Sequence, residues 1–223
     1  MTHVLPAIIP KNKIQLEEEI ARVAGFAKLV QVDIADGVFA PVKTWPYNGQ
    51  DTEYFEQLKK EDTGWPEWED VDIELHLMVQ NPEEVLLDWI HTGAVSVITH
   101  IEATEHFQKI IDMCREYSVA VGVALKPSTD IALITPFADQ VDFIQVMGSD
   151  KIGFHGIMLE NIAIEKIKTL HEMFPERIIA IDIGVTGDTA RELVDAGASK
   201  LIVGSTILDA DNPRGVFGDI SSM

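Results

Sequence analysis

The sequence predicts an α/β fold, a single-domain (β/α)8 TIM barrel that spans residues 1–223. Its length of 223 residues suits one large domain. Eight short apolar runs, rich in Val and Ile, alternate with amphipathic helical stretches, which is the pattern of parallel strands buried on both faces. A doubly wound open sheet would give the same alternation. However, no GxGxxG motif follows the first strand, and no P-loop of the GxxxxGK-Ser/Thr type occurs in the sequence.

The predicted strands are apolar runs of ordinary strand length. The first run is largely apolar, the second reads LVQVDIA and alternates, and the third reads DIELHLM. The other five runs are similarly rich in branched aliphatic residues, as buried parallel strands are. In chain order, the predicted strands are Val4–Ile9, Leu29–Ala35, Asp72–Met78, Val95–Ile101, Val119–Leu125, Asp142–Met147, Arg177–Ile183 and Leu201–Val203.

Helical patterns occupy most of the intervals between these strands. The first helix has a charged face at Glu17–Glu19. Another is predicted to begin at Asn81-Pro82, because Asn suits the N-cap, Pro suits the first helical position, and acidic residues follow in the first turn. The last helix should end at Gly197. The predicted helical stretches are Leu16–Val23, Thr52–Lys60, the one that begins at Asn81, Glu105–Tyr117, a short turn at Thr129–Phe137, Glu160–Met173 and Asp188–Ala196.

Two segments depart from this rhythm. Residues 41–70, after the second strand, form a long loop with a helix in it, and Trp45, Trp65 and Trp68 lie there. Residues 209–223 carry only a weak helical pattern and are predicted as a short irregular tail. A short or missing eighth helix would expose one side of the barrel. We therefore expect a homo-oligomer, a dimer in particular.

Composition excludes several classes of partner. The chain has 17 Lys and Arg against 37 Asp and Glu, a formal net charge of −20, which repels nucleic acids and anionic membranes. A single cysteine, Cys114, excludes a disulfide framework and a thiolate metal cluster. The sequence shows no secretory leader and no run long enough to span a membrane. We therefore expect a cytoplasmic protein with a small-molecule ligand.

Candidate reactive groups stand at the carboxyl ends of the predicted strands, where barrel active sites are built. Asp33, His76 and Asp182 come from three different strands and could converge on the barrel axis. Carboxylate and imidazole ligands suit a divalent metal such as Zn, Fe or Mn. Each residue also has a simpler interpretation, because a strand-end Asp often caps a turn and a His in an apolar strand is often a hydrogen-bonded core residue. His100 is interpreted as a structural or supporting residue.

Glycine-rich loops follow the last three strands. Barrel phosphate sites are built from the loops after strands seven and eight, where glycine lets backbone N–H groups approach the anion. The alternative is that these glycines only shape turns. The loop residues predicted to bind the substrate are Gly153, Phe154, His155, Gly156, Gly184, Val185, Gly204 and Ser205.

The chain resembles the ribulose-phosphate 3-epimerase family, in motifs that span nearly its whole length in order. Residues 31–41, QVDIADGVFAP, are similar to the family pattern HxDxMDGxFxP, and His76-Leu77-Met78-Val79 matches its HLMV. Residues 100–103 (HIEA), 125–129 (LKPST), 153–156 (GFHG), 181–185 (IDIGV) and 203–205 (VGS) resemble further family segments. On this resemblance the chain is identified as a divergent member of the family.

The resemblance implies an activity and a set of roles. Family members interconvert D-ribulose 5-phosphate and D-xylulose 5-phosphate, with two Asp as general acid and base, and a divalent metal held by two His and two Asp. By position, Asp33 and Asp182 are the implied acid and base, and Asp33, His76 and Asp182 are implied metal ligands. His76, Met78 and Met147 would contact the sugar phosphate, and the two methionines would limit water entry.

Departures from the family pattern leave alternatives open. Gln31 replaces a metal-binding His, so we expect weakened metal affinity or no metal, with Gln31 a poor fourth ligand. The other departures are Ala7 for Ser, Ala35 for Met, His155 and Ile183 for Gly, and Ile157 for Gln. One alternative is therefore a catalytically silent barrel that binds a sugar phosphate or a partner. A sugar-phosphate lyase or synthase of the same barrel group is disfavoured, because the third strand lacks that group's DxKxxD pattern.

Overall fold

The computed structural model describes residues 2–154 and 156–223, and it is a closed barrel of eight parallel strands. Neighbouring strands follow chain order, and the first strand pairs with the eighth. The predicted TIM barrel is confirmed. The strands are β1 (His3–Ile8), β2 (Leu29–Ala35), β3 (Asp72–Met78), β4 (Ser96–His100), β5 (Ala120–Leu125), β6 (Phe143–Met147), β7 (Ile178–Asp182) and β8 (Lys200–Val203).

Helices surround the barrel. The first begins at Asn12, whose side-chain oxygen accepts the N–H of Gln15 at 2.8 Å, a standard N-cap. None of the helices in the described part of the chain is long and apolar enough to cross a membrane. They are α1 (Lys13–Ala24), α2 (Thr52–Lys59), α3 (Leu86–Ile90), α4 (Phe107–Glu116), α5 (Asn161–Met173), α6 (Ala190–Asp195), α7 (Ser205–Leu208) and α8 (Pro213–Ser221).

The strands bury both faces, as their continuous apolar sequences predict. Their outward side chains pack against the helices in the larger core, which includes Leu16, Leu75 and Ile167. Their inward side chains fill the barrel itself. The amino-terminal part of the interior is polar, because the Lys200 ammonium lies 2.6 and 2.7 Å from the two carboxylate oxygens of Glu74. Both side chains are buried, so this ion pair is shielded from solvent.

Several local predictions were confirmed only in part. Asn81 does not cap a helix with its side chain; it adopts a left-handed backbone (φ 49°), followed by a short 3₁₀ helix at Pro82–Glu84 and then α3. The turn at Thr129–Phe137 contains a 3₁₀ helix of three residues, Ile131–Leu133. The tail predicted as irregular contains the helix α8, whose Ile220 is buried in the core. Residue pattern alone missed this helix because two glycines interrupt it.

The long segment after β2 is anchored in the core. Trp45 is fully buried and lies edge-on to Trp65 and Trp89, with ring centroids 6.1 and 6.3 Å apart. Trp68 is exposed. The segment therefore packs with α2 and α3 against the outside of the barrel and is not a solvent-exposed loop.

Candidate active site

A cavity of about 330 Å³ opens at the carboxyl ends of the strands. It is the end of the barrel where reacting groups of this fold are placed. Its wall is mainly apolar and also carries two carboxylates and a group of hydroxyls. The polar residues on its wall are Asp33, Asp182, Thr186, Thr189, Ser205 and Thr206.

Asp33, His76 and Asp182 converge as the strand positions predict. The register places Asp33 of β2 opposite His76 of β3, and all three side chains point into the barrel and are buried. The Nδ1 atom of His76 lies 2.9 Å from Asp33 Oδ1 and 3.6 Å from Asp182 Oδ2. One ligand atom from each of the three residues lies within 4.8 Å of the others.

Gln31 lies beside this cluster and is fully buried. Its amide nitrogen donates to Asp33 Oδ1 at 2.9 Å and lies 3.5 Å from Asp182 Oδ2. Its amide oxygen has no hydrogen-bond partner among the described residues. The Gln31 side chain therefore places an N–H donor between the same two carboxylates that would help to hold a cation.

The environment of the cluster shifts its proton affinities. Burial raises the pKa of Asp182 to about 7, and the neighbouring Asp33 charge acts in the same direction. Burial by itself would lower the pKa of His76, but the hydrogen bond and charge of Asp33, with the charge of Asp182, outweigh it and raise that pKa. The cluster therefore holds positive charge and protons tightly between two carboxylates.

A chain of hydrogen bonds continues outward from His76. Its Nε2 atom lies 3.0 Å from His100 Nε2, and His100 Nδ1 lies 3.1 Å from Glu102 Oε2. Glu102 Oε1 in turn accepts the backbone N–H of Lys126 at 2.7 Å and the hydroxyl of Thr129. Sequence reasoning treated His100 as a supporting residue and left Glu102 out of the site. The signal that points to them is their spacing, since His100 ends β4 and Glu102 follows two residues later.

The cluster suits a divalent metal by the chemistry of its donors. Two carboxylate oxygens and one imidazole nitrogen are a common set for Zn, Fe or Mn, and three protein ligands leave positions for a substrate. Gln31 would add only an amide oxygen, a weak neutral ligand, and only if its amide rotated to turn that oxygen toward the cluster. The residues present therefore fit a cation, with Gln31 as the least favourable member of the set.

The three predicted glycine loops contribute to the cavity wall. Gly153, Phe154, Gly156, Gly184, Val185, Gly204 and Ser205 line it, whereas His155 lies outside the described residues. Gly184 has a positive φ of 76°, and a Cβ there would lie 2.6 Å from the backbone nitrogen of Leu159, so the close approach of these two loops requires glycine.

Three threonines on this wall were missed from the sequence. Thr186, Thr189 and Thr206 follow the ends of β7 and β8, and the hydroxyls of Thr189 and Thr206 donate to the backbone carbonyls of Gly184 and Val185. The run Thr186-Gly187-Asp188-Thr189 directly after the glycine loop was the available signal. No lysine or arginine lines the cavity in the described part of the chain.

The apolar wall includes several of the departures from the family pattern. Ala7, Met78, Met147, Ile157 and Ile183 all line the cavity. Ile183 has a φ of 80°, a region that branched residues rarely adopt and that costs about 1–3 kcal/mol. Ala35 is fully buried in the barrel interior, packed with Met78 and its neighbours.

Comparison with known sequences identifies relatives. The model described as "Ribulose-phosphate 3 epimerase family" matches residues 3–208. Ribulose-phosphate 3-epimerase from Aquifex aeolicus is 28% identical, over 94% of this chain and 91% of that protein. The protein of the same name from Bacillus subtilis is 27% identical, over 99% of this chain and 98% of that protein.

Comparison with solved structures supports the fold alone. A 3-hexulose-6-phosphate synthase from Salmonella typhimurium superposes with a TM-score of 0.71 at 17% identity, covering 100% of this chain and 97% of that chain. KGPDC from Streptococcus mutans gives a TM-score of 0.69 at 14% identity, covering 100% of this chain and 96% of that chain. At such identities the likeness does not extend to function.

Proposed function

Because the chain belongs to the ribulose-phosphate 3-epimerase family, a family of isomerases, we propose that it interconverts D-ribulose 5-phosphate and D-xylulose 5-phosphate, or a close ketose phosphate. The reaction inverts the configuration at C3, next to the C2 carbonyl. The observation that carries the proposal is the convergence of Asp33 and Asp182 with His76 at the mouth of the barrel.

Two carboxylates are what an inversion through a planar intermediate requires. One removes the C3 proton from one face of the substrate, and the other delivers a proton to the opposite face. A pKa near 7 for Asp182 lets that carboxyl either give or take a proton at neutral pH. A divalent cation held by Asp33, His76 and Asp182 would supply positive charge that stabilises the negative charge developing on the substrate oxygens.

The rest of the cavity suits the remainder of a sugar phosphate. The phosphate would lie at the loops after β6, β7 and β8, where backbone N–H groups and the hydroxyls of Ser205 and Thr186 are available. Met78 and Met147 would cover the reacting carbon with apolar, polarizable side chains that exclude water. Because no lysine or arginine side chain lies on the described wall, phosphate binding would rely on backbone dipoles.

Proton exchange at C3 tests the proposal directly. We expect the protein, supplied with Zn²⁺, Fe²⁺ or Mn²⁺ in D₂O, to incorporate deuterium at C3 of D-ribulose 5-phosphate and to form D-xylulose 5-phosphate. Asp33→Asn and Asp182→Asn should each lower exchange roughly 10²–10⁴-fold. Asp142→Asn is the matched control, because that carboxylate accepts the backbone N–H of Val121 and is not among the described residues that line the cavity. Absence of exchange in a panel of ketose phosphates would refute the proposal.

A second candidate, a catalytically silent sugar-phosphate-binding barrel, is favoured by one observation. The Gln31 amide already occupies the space between the two carboxylates. Such a protein would gain thermal stability from a sugar phosphate without any exchange at C3, so the same assay separates the two candidates. The dimeric state and the cytoplasmic location expected from the sequence stay predictions.

A further inference from the structure

The hydrogen-bond chain that leaves the active site through His76 has a defined direction. It runs from Asp33 to His76, then to His100, and ends on Glu102. Both imidazoles are completely buried, so water cannot reverse or replace their hydrogen bonds. The positions of the hydrogens along the chain therefore follow from the partners at its two ends.

The outer end of the chain fixes the first hydrogen. Glu102 Oε1 accepts from Lys126 and Thr129, and Oε2 faces His100 Nδ1. An ionised carboxylate only accepts hydrogen bonds, so His100 Nδ1 must carry a hydrogen. Burial by itself would raise the pKa of Glu102, but the hydrogen bond from His100, together with those from Lys126 and Thr129, lowers it to about 2.

The hydrogens on the remaining imidazole nitrogens follow from counting donors and lone pairs. A neutral His100 that is protonated on Nδ1 has only a lone pair on Nε2, which can accept but not donate. The hydrogen in the 3.0 Å contact between the two Nε2 atoms therefore belongs to His76. A neutral His76 protonated on Nε2 has a bare lone pair on Nδ1, and this atom faces Asp33 and Asp182. A lone pair cannot face two carboxylates favourably unless a cation or a proton lies between them.

We propose that Glu102 and His100 are positioning residues that fix the tautomer of His76, so that its Nδ1 lone pair is presented to a divalent cation between Asp33 and Asp182. The inference rests on the metal centre of the proposed function, but it concerns the protein's own hydrogen bonds and is tested without substrate.

The structure anchors the outer residue firmly enough for this role. Glu102 is held by bonds to the loop after β5, and Phe39 covers His100 with ring centroids 4.9 Å apart. Lys126 lies over the Phe39 ring at 4.4 Å. Supporting partners of metal-ligating histidines typically change metal affinity 10–100-fold when they are altered.

Glu102→Gln tests the proposal with almost no change of shape. The Gln oxygen can keep the bonds from Lys126 and Thr129, which turns its amide N–H₂ toward His100 Nδ1. An N–H₂ group donates, so the chain should reverse, with His100 Nε2 donating to His76 Nε2 and the hydrogen moving to His76 Nδ1. We expect Zn²⁺ and Mn²⁺ affinity, measured by competition with a chromophoric chelator, to fall 10–100-fold. Glu102→Asp keeps a carboxylate and should recover part of the affinity, and Asp142→Asn should leave it unchanged.

Nitrogen-15 NMR of the imidazoles in the metal-free protein supplies the second readout. The unmodified protein should show His100 protonated on Nδ1 and not on Nε2, and Glu102→Gln should show the opposite tautomer. Detection of the Nε2-protonated tautomer of His100 in the unmodified protein would overturn the proposal, and so would unchanged metal affinity in a folded Glu102→Gln variant. The NMR measurement on the unmodified protein needs no variant, so it tests the proposal even if the Glu102→Gln protein fails to fold. If the unmodified protein shows no C3 exchange, that result would instead count against the proposed function alone.

Discussion

Replacing Gln31 by His should tighten metal binding. Gln31 is fully buried, and its amide nitrogen lies 2.9 Å from Asp33 Oδ1 and 3.5 Å from Asp182 Oδ2. A cation that takes up these carboxylates must displace that amide. The substitution removes the competing N–H donor and provides an imidazole nitrogen that can bind the metal itself.

The size of the effect follows from the bonds that are lost. A hydrogen bond from an amide to a carboxylate contributes about 1.5–3 kcal/mol. Since each 1.4 kcal/mol is a factor of ten, the present Gln31 lowers cation affinity by roughly 10–150-fold through competition. The unpartnered Gln31 oxygen recovers part of this cost only if the amide rotates to face the metal. We therefore expect Gln31→His to bind Zn²⁺ at least about tenfold more tightly.

Competition with a chromophoric chelator measures this affinity for Zn²⁺ and Mn²⁺ in both proteins. Gln145→His is the matched control, because Gln145 is also fully buried in the barrel and its amide contacts Met147 Sδ rather than a carboxylate. Circular dichroism confirms that each variant is folded. Equal or weaker Zn²⁺ binding by a folded Gln31→His protein would refute both the competition of the Gln31 amide with the cation and the assignment of the metal ligands.

Three further predictions concern catalysis and stability. Asp182→Asn should abolish most C3 exchange. Its thermal unfolding midpoint should stay near or above that of the unmodified protein, since the substitution removes a buried charge. A large drop in the midpoint would mean that Asp182 is structural. Lys200→Met should lower the free energy of unfolding, measured in urea, by about 3–5 kcal/mol, because it leaves Glu74 buried and unpaired. Adding a second change, Glu74→Leu, should restore most of that free energy. If it does not, the pairing of Lys200 with Glu74 is contradicted. The pKa of Glu102 lies at about 2 against an ordinary value of 4.5, so its stabilisation is complete above pH 4.5 and is lost as the pH falls toward 2. Urea titrations should therefore show Glu102→Gln less stable by about 3 kcal/mol at pH 7 and by clearly less at pH 3, and a difference independent of pH would be inconsistent with this shift.

The barrel could be predicted because its signal is local. The runs LVQVDIA and DIELHLM are continuous apolar strands, and β2 and β3 have the predicted bounds. Helix boundaries were less accurate, and α8 was missed, because its glycines weaken the local pattern and packing of Ile220 compensates. Asn81 takes the predicted N-cap position, but before a short 3₁₀ helix and with a left-handed backbone, since the same residue type suits both an N-cap and a left-handed turn.

The sequence by itself determined the fold, the family and the three side chains that meet at the mouth of the barrel. Strand ends of a closed parallel barrel must converge, so Asp33, His76 and Asp182 could be brought together without coordinates. Only the tertiary structure decided that Gln31 donates between the carboxylates and that His100 and Glu102 continue the chain from His76. Hydrogen-bond direction depends on distances of a few tenths of an ångström between side chains from different strands, and no local pattern in the sequence encodes those distances.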